Sequence, residues 1–422
     1  MVETRADPRN YQTGRAYFLG VFNGVVFAIG AAFADPATVL PNFVSHLTDS
    51  ELAVGLISAI GTGGWYLPQL IAASYVQSRP RKRPVYIFAS VLRCSGWLVV
   101  IPFVFAFGGR DATITLAAFF FGYSLYAFGG GFGGVAFLDI VAKTVPPNRL
   151  GSFFGHRQFW GSLGGVAVGL LVCAILADNR LSFPYNYGLL FCLALSLFIP
   201  GWGAYCLVRE PPGPVSEARP LLSFLWGARV FIRDHAEFRL LLLGRLLLGS
   251  ATIALPFYIG YCKEALHAPE AAVGRYLSAQ MIGGVVAVPL WAYLNDRRSP
   301  RTLILAVSSL SILAPGAAVA LSLLPLPQAM TRVAFGLVFF GLGATGGGSF
   351  IGFTNYLFAI APEERRTLYI GLLNTLFAVT MFLPIVGGLL VKYASFQLLF
   401  AVATAFSLAG AYAVFRLPPC NR

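Results

Sequence analysis

Charge is what this sequence has least of. Only 11% of its 422 residues are Asp, Glu, Lys or Arg, where a soluble domain carries about a quarter, and this excludes a water-soluble globule. Histidine is scarce as well. His46, His156, His235 and His267 stand far apart, with no metal-ligand spacing and no nucleophile beside them, so neither an enzyme nor a metal site is expected. The six cysteines (Cys94, Cys173, Cys192, Cys206, Cys262, Cys420) include no Cys-x-x-Cys pair and read as buried thiols that pack as small hydrophobes. Cys420 has two residues after it, which rules out a prenylation box. A Gly-x-x-x-x-Gly-Lys-Ser/Thr loop is missing too, so ATP hydrolysis within this chain has no support. One dinucleotide-like pattern, Gly341-Leu342-Gly343-Ala344-Thr345-Gly346, lies inside an apolar run rather than between a strand and a helix, and no cofactor is expected.

What is there is apolar. Hydrophobic residues make up 57% of the chain and the mean hydropathy is +0.73, the signature of a polytopic membrane protein whose main neighbour is the lipid bilayer. Twelve runs approach the roughly 20 apolar residues that a helix needs to cross. In the first half they cover approximately Tyr17 to Val44, Ala53 to Ala73, Pro84 to Phe107, Ala112 to Val141, Phe154 to Leu176 and Tyr187 to Val208. The second half has Leu240 to Tyr261, Val273 to Leu294, Leu303 to Leu324, Val333 to Leu357, Leu368 to Leu390 and Leu398 to Phe415. Their length and lack of strict alternation predict helices rather than barrel strands. Ala32-Phe33-Ala34 mimics a signal-peptide cleavage site, but the first run continues past it and is read as an uncleaved span.

Six runs and six runs suggest a duplication, and the loops carry it. Pro146-Pro147-Asn148-Arg149, closing at Gly155, returns as Pro362-Glu363-Glu364-Arg365, closing at Gly371. Each copy follows a glycine cluster (Gly129 to Gly131; Gly346 to Gly348) and a Phe-x-polar step, Phe137-Leu138-Asp139 against Phe353-Thr354-Asn355. Tyr75 to Arg79 is echoed by Tyr293 to Arg297. This period is far too long for a solenoid and fits two copies of a membrane half. The expected organisation is an N-terminal six-helix bundle (1–208), a linker (209–238) with an amphipathic surface helix near Leu221 to Arg233, and a C-terminal six-helix bundle (239–422).

Of the Lys and Arg residues, 22 fall on the side of the termini and six on the other, with Arg93 and Arg245 inside spans. That bias predicts a plasma (inner) membrane protein with both termini in the cytoplasm. It also explains the net charge of +13 without a nucleic-acid partner.

Twelve spans in two halves, a central linker and a basic loop between the second and third spans of each half resemble the major facilitator superfamily, a family of 12-span permeases. That family's loop pattern, Gly-x-x-x-Asp-Arg-x-Gly-Arg-Lys/Arg, appears as Ala73 to Lys82, where the basic pair survives, and at Asp296-Arg297 in the second half. The fourth span has no Lys or Arg, where many proton-coupled members carry an arginine. A Gly-Pro step typical of antiporters is only echoed by Gly161 to Gly169, without proline. The resemblance implies an all-α fold of two pseudo-symmetric bundles whose first and seventh spans line a central cavity.

Ionisable residues within spans are functional candidates because each costs several kcal/mol in lipid. Arg245, early in the seventh span, would by the resemblance face the solute path and hold a carboxylate or phosphate; the plainer alternative is a cytoplasm-side residue that snorkels to water or pairs structurally. Asp35 precedes Pro36 at a helix break and suits a proton or cation, or is simply a carboxylate at the outer end. Asn23, Gln280, Asn374 and Tyr258 complete the cavity candidates, with helix-to-helix hydrogen bonding as the alternative for each. For gating, Asp139 is expected to pair with Arg157 or Arg93 and to break and reform as the cavity opens, a static pair that satisfies buried charge being the alternative; Asp296 and Arg297 remain from the loop motif. The predicted function is secondary active transport of a small organic solute by alternating access, coupled to H+ or Na+, in a monomer. The solute is either an anion or an amphipathic molecule handled as in multidrug efflux. A non-transporting membrane receptor or assembly factor on the same fold is the third reading.

Overall fold

A computed structural model of the chain describes residues 8–77, 79–146, 149–213, 233, 235–360, 373–374 and 376–419, the side chains of 8–13, 70–77 and 296 excepted. Among them there are helices and no strands. In the first half they are α1 (Pro8–Ala32), α2 (Val39–Ser45), α3 (Glu51–Gln77), α4 (Arg83–Phe107), α5 (Ala112–Thr144), α6 (Leu150–Ala177) and α7 (Tyr185–Cys206). The second half has α8 (Ala236–Ser250), α9 (Phe257–Glu264), α10 (Ala272–Arg297), α11 (Pro300–Leu310), α12 (Leu313–Leu323), α13 (Gln328–Ala334), α14 (Gly336–Ile360), α15 (Leu383–Tyr393) and α16 (Phe396–Phe415).

Ten helical stretches are long and apolar enough to cross a membrane. The 27-residue α3 and the shorter Ala378–Tyr393 stretch complete twelve crossings, as the sequence predicts. Alternating direction puts both chain ends on one face, called here the terminal face; the opposite one is the far face. The expected linker helix and most of the loop after α14 lie outside the described residues.

Local chemistry accounts for the breaks. Proline has no N–H to donate, and α1 stops just before Asp35-Pro36, with the chain resuming as α2. The corresponding span of the second half is interrupted at the same place: α8 passes into a 3-10 turn, Ala251–Ala254, and restarts after Pro256 as α9. In three of the helices the N-cap residue's own side chain closes the first turn. Asp111 accepts from Ile114 N at 3.0 Å, Ser299 from Thr302 N at 3.1 Å and Ser395 from Leu398 N at 3.2 Å, each satisfying an amide that the helix leaves free.

Within the first half an aromatic core, including Phe43, Phe119, Tyr187, Phe191, Trp97 and Phe198, is almost wholly buried. The Phe43 ring lies 5.1 Å from that of Phe191 and 5.3 Å from Phe119. The halves meet along two seams, α6 against α10 and α3 against α15, and glycine makes both possible. A Cβ at Gly274 would sit 2.2 Å from the Cys173 amide nitrogen, and one at Gly55 would sit 2.3 Å from the Pro384 carbonyl oxygen. Both contacts lie toward the far face, where backbone meets backbone. Gly274→Val should therefore force α6 and α10 apart there. In a cysteine-free background, labelling of Asn42→Cys by a membrane-impermeant maleimide is expected to rise severalfold with Gly274→Val. Unchanged labelling would mean that the seam does not keep the far face shut.

Candidate functional site

At the break between α1 and α2 the chain turns Asp35 inward. Its Oδ1 accepts from Ala37 N and Thr38 Oγ1, both at 2.9 Å. Oδ2 accepts from Gln280 Nε2 of α10 at 3.1 Å, so this buried carboxylate ties one half to the other. Every donor to it is neutral. Gln280 Oε1 is buried without a hydrogen-bond partner among the described residues. A proton on Oδ2 would satisfy that oxygen once the amide turned over, since the two ends of an amide are interchangeable in this geometry.

Arg245 lies about 14 Å along α8 from its start at Ala236. It is buried and meets both halves: Nη2 donates to Asn374 Oδ1 at 3.4 Å, and the Tyr66 hydroxyl of α3 lies beside the guanidinium. Phe377 and Phe353 flank it, with Cζ 4.9 Å and 5.7 Å from their ring centres. No carboxylate ion-pairs with it among the described residues. The side chain is enclosed between helices rather than snorkelling, and its contacts with Asn374 and the two rings are those of the structural-pairing alternative.

The expected gate pairing is corrected by the structure. Asp139 ion-pairs with Lys143 one turn along α5, because residues four apart share a helix face. Lys143 Nζ in turn reaches Glu210 Oε1 at 2.9 Å. That buried carboxylate accepts from the Lys82 and Arg83 amides, its Oε2 lying 2.7 Å from both nitrogens, and caps the start of α4. Lys143 and Glu210 were missed from the sequence; the i,i+4 spacing of Asp139 and Lys143 was the available signal.

Arg157 instead donates through Nη1 to Gly20 O and to Asn23 Oδ1 at 3.1 Å, over the rings of Phe137 and Phe153. Arg93 sits in a cage of Phe27, Tyr126 and Trp202, its Cζ 4.9, 4.6 and 4.4 Å from the three ring centres, an arrangement in which the ring faces attract the cation. Asn23, expected in the cavity, joins helices: its Nδ2 donates to Gly201 O at 2.9 Å and Tyr86 Oη at 3.2 Å. Tyr258 is likewise buried in the core of the second half, stacked 5.2 Å from Phe400. Arg297 is exposed at the end of α10, and the Asp296 side chain lies outside the described residues.

Far-face ends of the halves are joined by a polar cluster that the sequence did not single out. Asn42 donates to Glu270 Oε2 at 2.8 Å, Lys263 also binds Glu270, and His46 Nε2 is 3.3 Å from Glu270 Oε1. Glu51 and Glu264 stand side by side across the halves, and burial with the neighbouring carboxylate raises Glu51 to about 7. A cavity of about 430 Å³ opens among His46, Glu51, Lys263 and Glu264.

The Major Facilitator Superfamily, as a sequence family, matches residues 240–421. The chain has the major facilitator fold, and its second half matches the family itself. Solved structures agree in fold over nearly the whole length. A bacterial homologue of the iron transporter ferroportin, inward-facing, aligns with a TM-score of 0.69 at 17% identity, covering 96% of this chain and 98% of that one. The nucleoside transporter NupG aligns with a TM-score of 0.68 at 12% identity, over 97% and 100% of the two chains. The xylose transporter XylE from E. coli, partially occluded and inward open, aligns at 0.67 and 13% identity, over 98% and 100%. No curated protein matches the sequence.

The far-face cluster joins the two halves at one end of the molecule, and its histidine sets a pH dependence. Burial, with Lys263 beside it, pushes His46 down to about 4 from its ordinary value near 6.5. The folded form thus binds fewer protons than the unfolded form between those values, and stability falls as pH drops from about 6.5 toward 4. His46→Gln should flatten that part of the thermal-stability profile relative to the unsubstituted chain, and parallel profiles for the two proteins would refute it.

Proposed function

We propose that this chain is a secondary transporter that moves a small organic anion across the membrane by alternating access. The observation that carries the reading is Arg245, a buried guanidinium in contact with both halves that meets no carboxylate among the described residues. A charge in that setting is stabilised when an anion supplies the missing partner through charge-assisted hydrogen bonds. The bundles 1–208 and 239–422 are the rocking units, joined through the linker 209–238. The surplus of Lys and Arg on the terminal face makes that face cytoplasmic. The seams closed at the far face then correspond to an inward-facing state in a plasma membrane.

Coupling is assigned to Asp35. It bridges to Gln280 across the halves, so a proton gained or lost there alters the contact that must break when the far face opens. The carrier draws on a proton gradient and binds no cofactor.

Reconstitution in liposomes with a lumenal pH dye tests both assignments, with pooled organic anions and neutral amphiphiles offered in turn. An anion pool should drive proton movement. Arg245→Gln is expected to raise the apparent KM about ten- to hundredfold, the equivalent of losing one charged hydrogen bond of about 1.5–3 kcal/mol. Asp35→Asn should retain solute-induced thermal stabilisation yet abolish proton movement. A response confined to neutral amphiphiles and indifferent to Arg245→Gln would overturn the anion reading in favour of a multidrug carrier.

A further inference from the structure

Two carboxyl groups of opposite halves meet at the far-face rim. Glu51 opens α3, just ahead of the apolar run that begins at Ala53, and Glu264 closes α9; both line the cavity of about 430 Å³. Among the described residues neither carboxyl takes part in an ion pair, and Lys263, next to Glu264 in the chain, binds Glu270 instead. The backbone that carries Glu51 cannot withdraw while the face is shut. A Cβ at Gly388 of α15 would lie 2.5 Å from the Glu51 carbonyl oxygen and 3.1 Å from the Leu52 amide nitrogen, so the first turn of α3 is pressed backbone to backbone on the second half.

Other charges surround the pair. Asp49, on the loop before α3, adds a third negative charge near Glu264. Lys263 stands beside them with its ammonium on Glu270. His46, ring-stacked on Phe183 at 4.8 Å, lines the same cavity, and Lys392 of α15 lies one turn beyond Gly388 with its Nζ 5.2 Å from the Tyr393 ring centre. The first turn of a helix favours a negative charge at Glu51. Burial and the second carboxylate act against it and prevail, raising Glu51 to about 7 from an ordinary value of 4.5. Two carboxyls so placed resist ionising together, and one proton stays with them.

We propose that Glu51 and Glu264 form a proton-operated latch on the outer side of the carrier: a proton held by the pair keeps the halves shut there, and its loss to a neutral or alkaline exterior releases them. The proposal rests on the alternating-access reading and adds a control separate from Asp35, because Glu264 is exposed to the far-face solution whereas Asp35 is buried. With the halves apart both carboxyls return to water and titrate normally. The shut form therefore carries one proton more than the open form between about 4.5 and about 7, and acidifying the exterior through that window favours closure by at most about tenfold per pH unit. His46 acts in the opposite sense, since its value of about 4 in the shut form moves back toward 6.5 on opening. Its swing is the smaller one. Phe183 and Tyr187, which pack on its ring, belong to its own half and move with it, whereas Glu264 and α15, which meet Glu51, belong to the other half.

Spin labels on Arg110→Cys and Leu324→Cys, exposed far-face positions of opposite halves, report the opening as a distance in the cysteine-free full-length chain, and Gly274→Val marks the open value. As pH falls from about 8 to about 5.5 the ratio of shut to open populations should rise severalfold, and about tenfold or more in His46→Gln. Glu51→Gln, neutral at every pH, should stay shut at about pH 8 and lose the dependence. Glu264→Gln removes the second charge but keeps the acid at Glu51; it should move the midpoint to lower pH, and serves should Glu51→Gln fail to fold. A ratio independent of pH, or a dependence that survives Glu51→Gln unchanged, would overturn the latch and leave the transporter standing. A single distance at every pH, shared by Gly274→Val and unmoved by the anion pools, would overturn alternating access and the latch together.

Discussion

The approach of backbone to backbone at the far face is the constraint on which the other contacts depend. Gly274 against Cys173, Gly55 against Pro384 and Gly388 against Glu51 leave no room for a side chain. Helices brought this close in lipid gain dispersion contacts that longer side chains would prevent. Their closeness places polar groups from opposite halves within hydrogen-bond reach, Asp35 with Gln280 and Asn42 with Glu270. Such pairs are strong where water is excluded, and they fix which parts of the two halves face each other.

A second consequence is that the seam is selective about where it carries charge. Ionic groups collect at the far-face rim, around Glu270, and in the Asp139, Lys143, Glu210 chain near the terminal face. Between them the cations are held by neutral oxygens and aromatic rings. Arg93 has only ring faces for its charge among the contacts described, and its Nε is buried without an acceptor. Among the described residues, no carboxylate pairs with the cations held in this way.

Much of the architecture was legible in the sequence because it depends on composition and order. Run length gave the crossings, the Pro-x-x-Arg loops gave the duplication, and Pro36 with Pro256 marked the two interrupted spans. Arg245 was legible because a charge within an apolar run is conspicuous wherever the helix packs. Partners were not legible. Asp139 was assigned to Arg157 or Arg93 by proximity in the chain and by charge, whereas the helix face it shares with Lys143 decides the matter. Asn23 and Tyr258 looked like cavity residues because they are polar, yet polarity alone does not say whether a side chain meets solute, another helix or an aromatic core. Lys263 and Glu270 flank one loop of the second half, and only the meeting of the halves brings His46 and Asn42 to them.

The Arg245 guanidinium, which meets no carboxylate among the described residues, has an electrical consequence. If an anion matches it, that site is neutral when loaded and carries one positive charge when empty. A membrane potential does work only on net charge that moves through its field, about 2.3 kcal/mol per elementary charge for each 100 mV. Voltage would then act on the return of the unloaded carrier and leave the solute-carrying step nearly untouched.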